Sequence, residues 1–423
     1  MKIYSHILKS ILISTFAVIG TSCGNDDPVT NPPVPDDSEI EVPDDRFAPL
    51  VEITLTDTEK EQIKATNLFG RNIWNIIEST PEFKDGNVLY SPISFRYALS
   101  MLANGAGEET KGQILSIVGG EKSGIDVDGV NGLNKKLLEE IPAVDTKVKL
   151  AFANGLWIDK ASNVLPGFAE AMTASYNIQS AEFEKATEKG RGEINTWISG
   201  NTFGLIPEFL ETPPVSDIVL ANALYFGSEW RNKFEEKNTR DEKFGNADGS
   251  EANVKMMSMT TRLYWAKTDN AETITLPYGN TGFAMELYRP NDSNDFSGIF
   301  SDNIVESGVR NVSVKMPRFE YESEIQASQI LPLLGYDKIT GNDADYSGIT
   351  GEDKTPATAI LQKNRIEVDE KGTKAASATV VMIMGDNGQE YKNVNFFLDR
   401  PFAFIIRESS TGAILFMGKV EKL

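Results

Sequence analysis

The sequence predicts an α+β fold built as one large domain, and two observations carry that prediction. Apolar residues recur at helical spacing mainly in the first half of the chain, whereas alternating or continuous apolar runs dominate the second half, so helices and strands are segregated. The composition, 40% hydrophobic and 24% charged over 423 residues, is that of a globular chain with a large core. Residues 46–423 contain neither a Pro- or Gly-rich linker nor an internal repeat, which indicates a single domain.

The predicted helices lie mostly near the start of this domain. Glu59–Ile77 repeats apolar residues at near-helical spacing, and Ser91–Ala103 does so behind a Ser-Pro start, a common helix-initiation pattern. Gly167–Ser175 is also predicted to be helical. A further helix is predicted to begin at Ile194–Trp197 and to end near Gly204.

The predicted strands lie mostly later in the chain. Lys147–Ile158 alternates apolar and polar residues, as a half-buried strand does. Ile218–Phe226 is almost continuously apolar and β-forming, which predicts a strand inside a buried sheet. The remaining predicted strands are Glu272–Arg289, Val309–Phe319, Phe396–Arg407 and Ala413–Val420.

The first 45 residues depart from the average composition and are predicted to lie outside the domain. Lys2 and Lys9 precede an apolar stretch and the small residues before Cys23. This pattern is typical of an export signal over residues 1–22, and its apolar stretch is shorter than that of a typical transmembrane helix. Residues 24–45 contain five prolines and eight carboxylates but no Lys or Arg. Such a segment cannot bury enough apolar area to fold, so residues 23–45 are interpreted as an acidic tether.

Cys23 is the only cysteine in the chain, which excludes an intrachain disulfide or a Cys-based metal cluster. Its position resembles the bacterial lipobox, which implies lipid attachment at Cys23. Asp26–Asp27 resembles the acidic flank of some surface-exposed bacterial lipoproteins. The resemblance implies an exported protein that is anchored by its lipid to the outer membrane and exposed at the cell surface; the alternative is a soluble exported protein with an incidental thiol.

Charge and histidine content argue against several classes of function. The net charge is −21; since residues 1–45 hold two lysines and eight carboxylates, residues 46–423 carry −15, which makes nucleic acids and polyanionic glycans poor partners. His6, the only histidine, lies in the predicted signal, so the processed chain would lack Ser-His-Asp and Cys-His catalysis and His-ligated zinc. Paired carboxylates remain the one enzymatic route, but no short acidic motif singles out a pair, and we expect no enzyme activity, no metal and no cofactor. A surface lipoprotein that binds or cleaves glycans is an alternative that no motif indicates.

Several short segments occur in order over residues 50–423. They read NVLYSPIS at 87–94, GAGEET at 105–110, LANALYF at 220–226, RPF at 400–402 and LFMGKV at 415–420. These segments resemble the serpin family. The resemblance implies a serpin fold, with a helix-rich half, three β-sheets and an exposed reactive loop near the carboxyl terminus.

The resemblance also implies a monomeric serine protease inhibitor that acts as a suicide substrate. The target, a serine or cysteine protease, attacks the loop and forms an acyl-enzyme; the cut loop then inserts as a new strand into the main sheet and distorts the enzyme. The alternative within the family is a non-inhibitory serpin acting as a binding protein. Membrane contact is expected only through the lipid anchor.

Residues 367–388, EVDEKGTKAASATVVMIMGDNG, resemble the hinge and reactive loop of serpins. A glycine tolerates backbone rotation, and small side chains can enter a packed sheet without obstruction. Side chains alternate along a strand, so Thr373, Ala375 and Ser377 would share the inward face. The residues assigned to the hinge are Glu370, Gly372, Thr373, Ala375, Ala376, Ser377 and Ala378.

The usual family spacing, counted from Gly372, puts the reactive bond at Asp386–Asn387. This bond would suit a protease that prefers acidic residues. Met384 is the alternative and would suit an elastase- or subtilisin-like enzyme, whereas Lys392 would suit a trypsin-like one.

Contacts that control opening of the main sheet are assigned by the resemblance to Ser91, Ser94, Asn222, Trp230 and Gln362. Gln362 stands where many serpins carry a histidine. An amide donates and accepts hydrogen bonds without titrating. We therefore expect loop insertion to be independent of pH between about 5 and 8.

Overall fold

The computed structural model describes residues 50–120, 124–176, 178, 181–341, 343–351, 360–373 and 391–423. The predicted signal, Cys23 and the tether lie outside these ranges, as do Ala375–Ala378, Met384 and the Asp386–Asn387 bond. Within the described ranges, no helix is both long enough and apolar enough to cross a membrane.

The described ranges contain ten α-helices, and the longer ones lie in the first half of the chain. They are α1 (Asp57–Ser79), α2 (Pro81–Lys84), α3 (Pro92–Ala103), α4 (Glu108–Val118), α5 (Val127–Glu140), α6 (Pro166–Tyr176), α7 (Glu188–Asn201), α8 (Ala327–Ile330), α9 (Asp337–Thr340) and α10 (Ser347–Thr350).

Side-chain caps set where two of these helices begin. Thr56 and Glu59 form a capping box, in which Glu59 N donates to Thr56 Oγ1 at 3.2 Å and Thr56 N donates to Glu59 Oε2 at 2.7 Å. Thr187 Oγ1 accepts a hydrogen bond from Gly190 N at 3.1 Å. Each cap satisfies backbone N–H groups that the first helical turn leaves free, so α1 and α7 begin ahead of their predicted starts.

Fifteen strands lie in the described ranges. They are β1 (Val88–Tyr90), β2 (Val148–Asp159), β3 (Ala181–Phe183), β4 (Ile218–Glu229), β5 (Arg240–Gly245), β6 (Glu251–Thr268), β7 (Ala271–Pro277), β8 (Phe283–Pro290), β9 (Ile304–Pro317), β10 (Phe319–Gln326), β11 (Leu361–Val368), β12 (Gly372–Thr373), β13 (Asn393–Phe397), β14 (Phe402–Glu408) and β15 (Ile414–Val420).

Hydrogen bonds join these described strands into two networks. One has six strands in the order β10-β11-β12-β4-β2-β3, and the other has nine, in the order β1-β15-β14-β8-β7-β6-β9-β13 with β5 beside β6. Three sheets were expected, but the described strands form two networks, because β6 pairs with β5 through its first residues and with β7 through its last and so joins the strands on either side. The predicted α+β class is confirmed.

Three predicted strands have different bounds in the structure. Glu272–Arg289 is the hairpin β7–β8, since the chain turns where Thr281 has a φ of 86°. Phe396–Arg407 is divided between β13 and β14 around Pro401, which has no N–H for a ladder. Val309–Phe319 covers the end of β9 and the start of β10.

The six-stranded sheet is covered on both faces. On one face, Ile194 and Ile198 of α7 pack in an apolar cluster with Trp157 of β2 and Val219 of β4. On the other face, β4 contributes residues such as Phe226 to the large core that it shares with α3 and the nine-stranded sheet. A strand entering this sheet would therefore place one set of side chains in the large core, and the other set would meet the α7 cluster at one end and half-exposed side chains such as Lys363 and Arg365 elsewhere.

Candidate functional site

The two central strands of the six-stranded sheet, β4 and β11, run parallel and diverge toward one end. They pair directly at Leu361 and Ala221. At the other end β12 lies between them, with Thr373 opposite both Ser228 of β4 and Val368 of β11. The separation of β4 and β11 thus grows from one inter-strand spacing, about 5 Å, to two, about 10 Å.

The register of β12 is the same with respect to both neighbours. Extended past Thr373, the pairing with β4 brings residue 380 opposite Ala221, and the pairing with β11 brings residue 380 opposite Leu361. Ala221 and Leu361 are the two residues that β4 and β11 already pair with each other. A strand continuing from β12 would therefore enter between β4 and β11 without a register shift on either side.

Gly372 is required by close approach of the backbones. A Cβ added at this position would lie 2.0 Å from the carbonyl oxygen of Ser228 and 2.6 Å from Cα of Glu229. Both of these atoms belong to the backbone of β4, so no side chain could move aside. The glycine thus lets β12 lie against β4, a role additional to the backbone rotation inferred from the sequence.

Trp230 fixes the chain that leads into β12. Its backbone N donates to Lys371 O at 2.8 Å, and its indole Nε1 donates to Asp369 O at 3.0 Å. Asp369 in turn accepts a hydrogen bond from Gly372 N at its Oδ1, at 3.1 Å, and its own N donates to Gly372 O at 3.0 Å. The turn between β11 and β12 is therefore held by Trp230 from one side and by Asp369 from within.

Glu370 is a buried carboxylate with two side-chain donors. Arg318 Nη2 lies 2.6 Å from Glu370 Oε1, and Thr239 Oγ1 donates to the same oxygen at 2.5 Å. Burial acts to raise the pKa of Glu370, but these two hydrogen bonds outweigh it and hold the pKa below its ordinary value. Glu370 is thus ionised at neutral pH and connects the hinge to Arg318, between β9 and β10, and to Thr239, just before β5.

Thr373 points into the core beneath the sheet. It is 4% exposed, and its Oγ1 lies 2.7 Å from the hydroxyl of Tyr278. The Tyr278 ring stacks on Trp230 with 4.4 Å between ring centroids and 13° between planes. Burial raises the pKa of the Tyr278 hydroxyl, so this hydroxyl stays protonated and can donate to Thr373.

Gln362 bonds to the chain that begins α3. Ser91 N donates to Gln362 Oε1 at 2.7 Å, and Gln362 Nε2 donates to Ser91 O at 3.0 Å. Asn364 Nδ2 also donates to Gln362 Oε1 at 3.1 Å, while Ser91 Oγ accepts from Ser94 N at 3.2 Å. The direct hydrogen-bond partners of Gln362 in this cluster are therefore amide and backbone groups, none of which titrates near neutral pH.

The family model for the serpins, described as serine protease inhibitors, matches residues 64–423. The chain belongs to the serpin family. It is 29% identical to Serpin-Z4 of Hordeum vulgare over 391 residues, 87% of this chain and 98% of the relative. It is 31% identical to Serpin-Z10 of Arabidopsis thaliana over 362 residues, 79% of this chain and 91% of the relative.

A solved structure has the same fold as this serpin. The native stressed conformation of AtSerpin1 from Arabidopsis superposes with a TM-score of 0.74 at 27% identity, covering 87% of this chain and 99% of that one. The family is one of inhibitors rather than catalysts. In the part of this serpin that the structure describes, no three His, Cys, Asp or Glu residues are grouped to hold a metal ion.

Some of the site residues predicted from the sequence of this serpin lie together in the structure. Glu370, Gly372 and Thr373 meet Trp230 at one end of β4, and Ser91, Ser94 and Gln362 meet at the start of α3. Asn222 lies on β4 opposite Asn154 of β2. Cys23, Met384, Asp386, Asn387 and the small residues Ala375, Ala376, Ser377 and Ala378 lie outside the described residues.

Sequence reasoning missed Thr239, which donates to Glu370, and three further residues at the hinge of this serpin. Asp369, Arg318 and Tyr278 each contact the hinge directly. Asp369 is adjacent to Glu370, and an Asp shortly before a glycine is a common turn signal, so it could have been found. Arg318 and Tyr278 come from distant segments, and no local pattern around either residue indicates its contact with the hinge.

Proposed function

We propose that this serpin inhibits serine proteases as a suicide substrate whose cut loop enters the six-stranded sheet between β4 and β11. The observation that carries the proposal is β12, which already occupies the first position between these strands in a register that fits both. The protease serine Oγ attacks the loop carbonyl, an ester bond forms, the peptide C–N bond breaks, and the new amine takes a proton. Insertion of the freed strand then carries the acyl-enzyme away and prevents hydrolysis.

The composition of the loop supports insertion. Thr373 faces the buried side, so residues 375, 377 and 379 would face that side too. These are Ala375, Ser377 and Thr379, small side chains that suit a layer already packed on both faces. From Thr373 to Asp386 the inserted strand would span roughly 46 Å, enough to carry a protease from one end of the sheet to the other.

The driving force would come from pairing and packing that the native sheet lacks. An inserted strand would form backbone hydrogen bonds with both β4 and β11, each worth about 0.5–1.5 kcal/mol net.

Asp386–Asn387 is the proposed reactive bond, and Met384 is the alternative. Lys392 is a poorer candidate because its carbonyl accepts a hydrogen bond from Asn311 N at 3.1 Å. That contact fixes Lys392 to β9 at the base of the loop, where a protease cleft could not surround it. The proposed targets are therefore proteases that prefer acidic residues or, for Met384, elastase- and subtilisin-like enzymes.

The composition of residues 1–45 supports a cellular location for this inhibitor. We propose that residues 1–22 are an export signal, that Cys23 carries the lipid, and that residues 23–45 tether a domain of residues 46–423 to the outer surface of a bacterium. Expression with Cys23→Ser should move the protein from the membrane to the soluble fraction. Equal membrane retention of both forms would contradict lipid attachment at this residue.

Incubation with a panel of serine proteases tests the inhibitory function. We expect a protease–serpin complex that survives denaturing electrophoresis, together with a rise in the melting temperature of loop-cleaved protein, since strand insertion adds hydrogen bonds. Clean cleavage without a complex would favour the non-inhibitory alternative, a binding protein. A melting temperature that is the same before and after cleavage would show that the cut loop does not insert.

A further inference from the structure

A strained turn joins β7 to β8 beside the hinge. It comprises residues 278–282, in which Gly279 has a φ of 43° and Thr281 a φ of 86°. A β-branched residue rarely adopts a positive φ, because its side chain then crowds the backbone. Such strain persists only where surrounding contacts hold the chain, and it is concentrated at functional sites. Contacts from outside the turn must therefore hold it in this conformation.

Asp145, just before β2, holds the turn from the buried side. Its Oδ2 accepts a hydrogen bond from Asn280 N at 2.6 Å, and its Oδ1 accepts from Lys147 N at 3.0 Å and from Asn280 Nδ2 at 3.3 Å. Asp145 is 2% exposed, and these three donors are amide groups rather than cations. A Cβ added to Gly279 would lie 2.8 Å from Asp145 Oδ2. The carboxylate thus packs directly against the turn, which supplies two of its three donors.

The first residues of the turn contact the hinge. Gly279 N donates to the carbonyl oxygen of Glu229 at 2.9 Å, and Glu229 belongs to the part of β4 that pairs with β12. The Tyr278 hydroxyl lies 2.7 Å from Thr373 Oγ1. Direct contacts therefore run from Asp145 through the turn to Thr373.

We propose that Asp145 is a positioning residue for loop insertion: it holds the turn so that Tyr278 stays under Thr373 and β12 stays between β4 and β11. A hydrogen bond between two hydroxyl groups is about 2.5–3.0 Å long, so a displacement of Tyr278 by about 1 Å would break it. A hinge released in this way would have to enter the sheet again before it could extend. Insertion would then be slower relative to hydrolysis of the acyl-enzyme.

The inference rests on the proposed function for its effect on inhibition, whereas the position of the hinge can be measured without a protease. The main variant is Asp145→Asn, which keeps the size of the side chain but has only one acceptor oxygen, so a donor from the turn or from Lys147 would face an NH₂ group. Ser409→Ala is a milder second variant, because Ser409 Oγ donates to Thr281 O at 2.8 Å from the exposed side. It gives the same test where Asp145→Asn does not fold.

Two more variants separate positioning from a general loss of stability. Tyr278→Phe removes the hydroxyl that contacts Thr373 and keeps the ring, and it is combined with Asp145→Asn in a double-mutant cycle. Asp126→Ala is the matched control, since it also removes one carboxylate. Asp126 Oδ1 accepts from Gly129 N at 2.9 Å and caps α5, so its loss lowers stability without touching the turn.

Hydrogen exchange is the first measurement. The amide hydrogens of Trp230 and Gly372 both bond to residues between β11 and β12 and report on the hinge. We expect Asp145→Asn to speed their exchange about fivefold, the effect of losing one hydrogen bond, and Asp126→Ala to leave it unchanged. Tyr278→Phe should have a similar effect, and the double variant should exceed neither single variant, because both act through the same contact.

The second measurement is the ratio of cleaved to trapped serpin, taken well below the melting temperature of every variant. We expect this ratio to rise about fivefold in Asp145→Asn and to stay at the unaltered value in Asp126→Ala. Unchanged hinge exchange, additive effects in the cycle, an equal rise in the control or an unchanged ratio would each overturn the inference. If unaltered protein traps no protease, the inhibitory function fails, and hydrogen exchange alone decides whether Asp145 positions the hinge.

Discussion

Replacing Thr373 by arginine places a charge where the loop enters the sheet. Thr373 is 4% exposed and bonds to Tyr278 at 2.7 Å. An uncompensated buried charge costs about 3 kcal/mol or more, and loss of the Tyr278 hydrogen bond adds about 1 kcal/mol.

Because Thr373 already lies in the sheet as part of β12, the charge would displace it, and insertion of the cut loop would then have to bury that charge. Insertion competes with hydrolysis of the acyl-enzyme, and a cost of about 3 kcal/mol in the barrier to insertion would slow it roughly a hundredfold. Hydrolysis of the acyl-enzyme would then be faster than insertion, and the Thr373→Arg variant should behave as a substrate. The assay titrates a fixed amount of protease with each variant and follows residual activity and the gel-stable complex. Thr373→Ser keeps the hydroxyl and the small volume, and should still inhibit. If the arginine variant trapped as much protease per molecule as unaltered protein, Thr373 would not be part of the inserting strand.

Three further predictions concern the hinge and the Gln362 cluster. Because the folded-state pKa of Glu370 lies below its ordinary value of 4.5, its pair with Arg318 stabilises the fold above that pH and is lost as pH falls through the folded-state pKa. Glu370→Gln should therefore lower stability by about 1 kcal/mol at neutral pH and by little once the pH lies below the folded-state pKa of Glu370, as thermal denaturation would measure; a deficit that persists in acid would contradict this. Gln362→His should make the rate of conversion to the loop-inserted form vary between about pH 5 and 8, whereas unaltered protein should give a flat profile on native electrophoresis. Gly372→Ala should destabilise the fold by about 1–3 kcal/mol or more, because the added Cβ would contact the backbone of β4. Gly112→Ala in α4 is the control: a Cβ added there would have no heavy atom within 4 Å, so this variant should be more stable by about 0.5–1 kcal/mol. Similar melting temperatures for the two variants would refute the steric argument.

Local sequence patterns predicted where helices and strands occur better than they predicted the residues at which these elements begin and end. The helical spacing of Glu59–Ile77 identified α1, because periodicity reports which face is buried. Its start depended on the Thr56 capping box, which a search for apolar periodicity does not detect. Likewise the continuous apolar run Ile218–Phe226 predicted the buried strand β4, but the boundary between β7 and β8 depended on turn chemistry around Thr281.

The sequence by itself determined the class of fold, the buried character of β4 and the small residues after Gly372, because each of these depends on residues close together in the chain. Only the tertiary structure decided that β12 lies between β4 and β11 in a common register, and that Tyr278 and Arg318 meet the hinge. Strand order and register arise from pairings between segments that are far apart in sequence, and no local pattern encodes which strand edge another strand will meet.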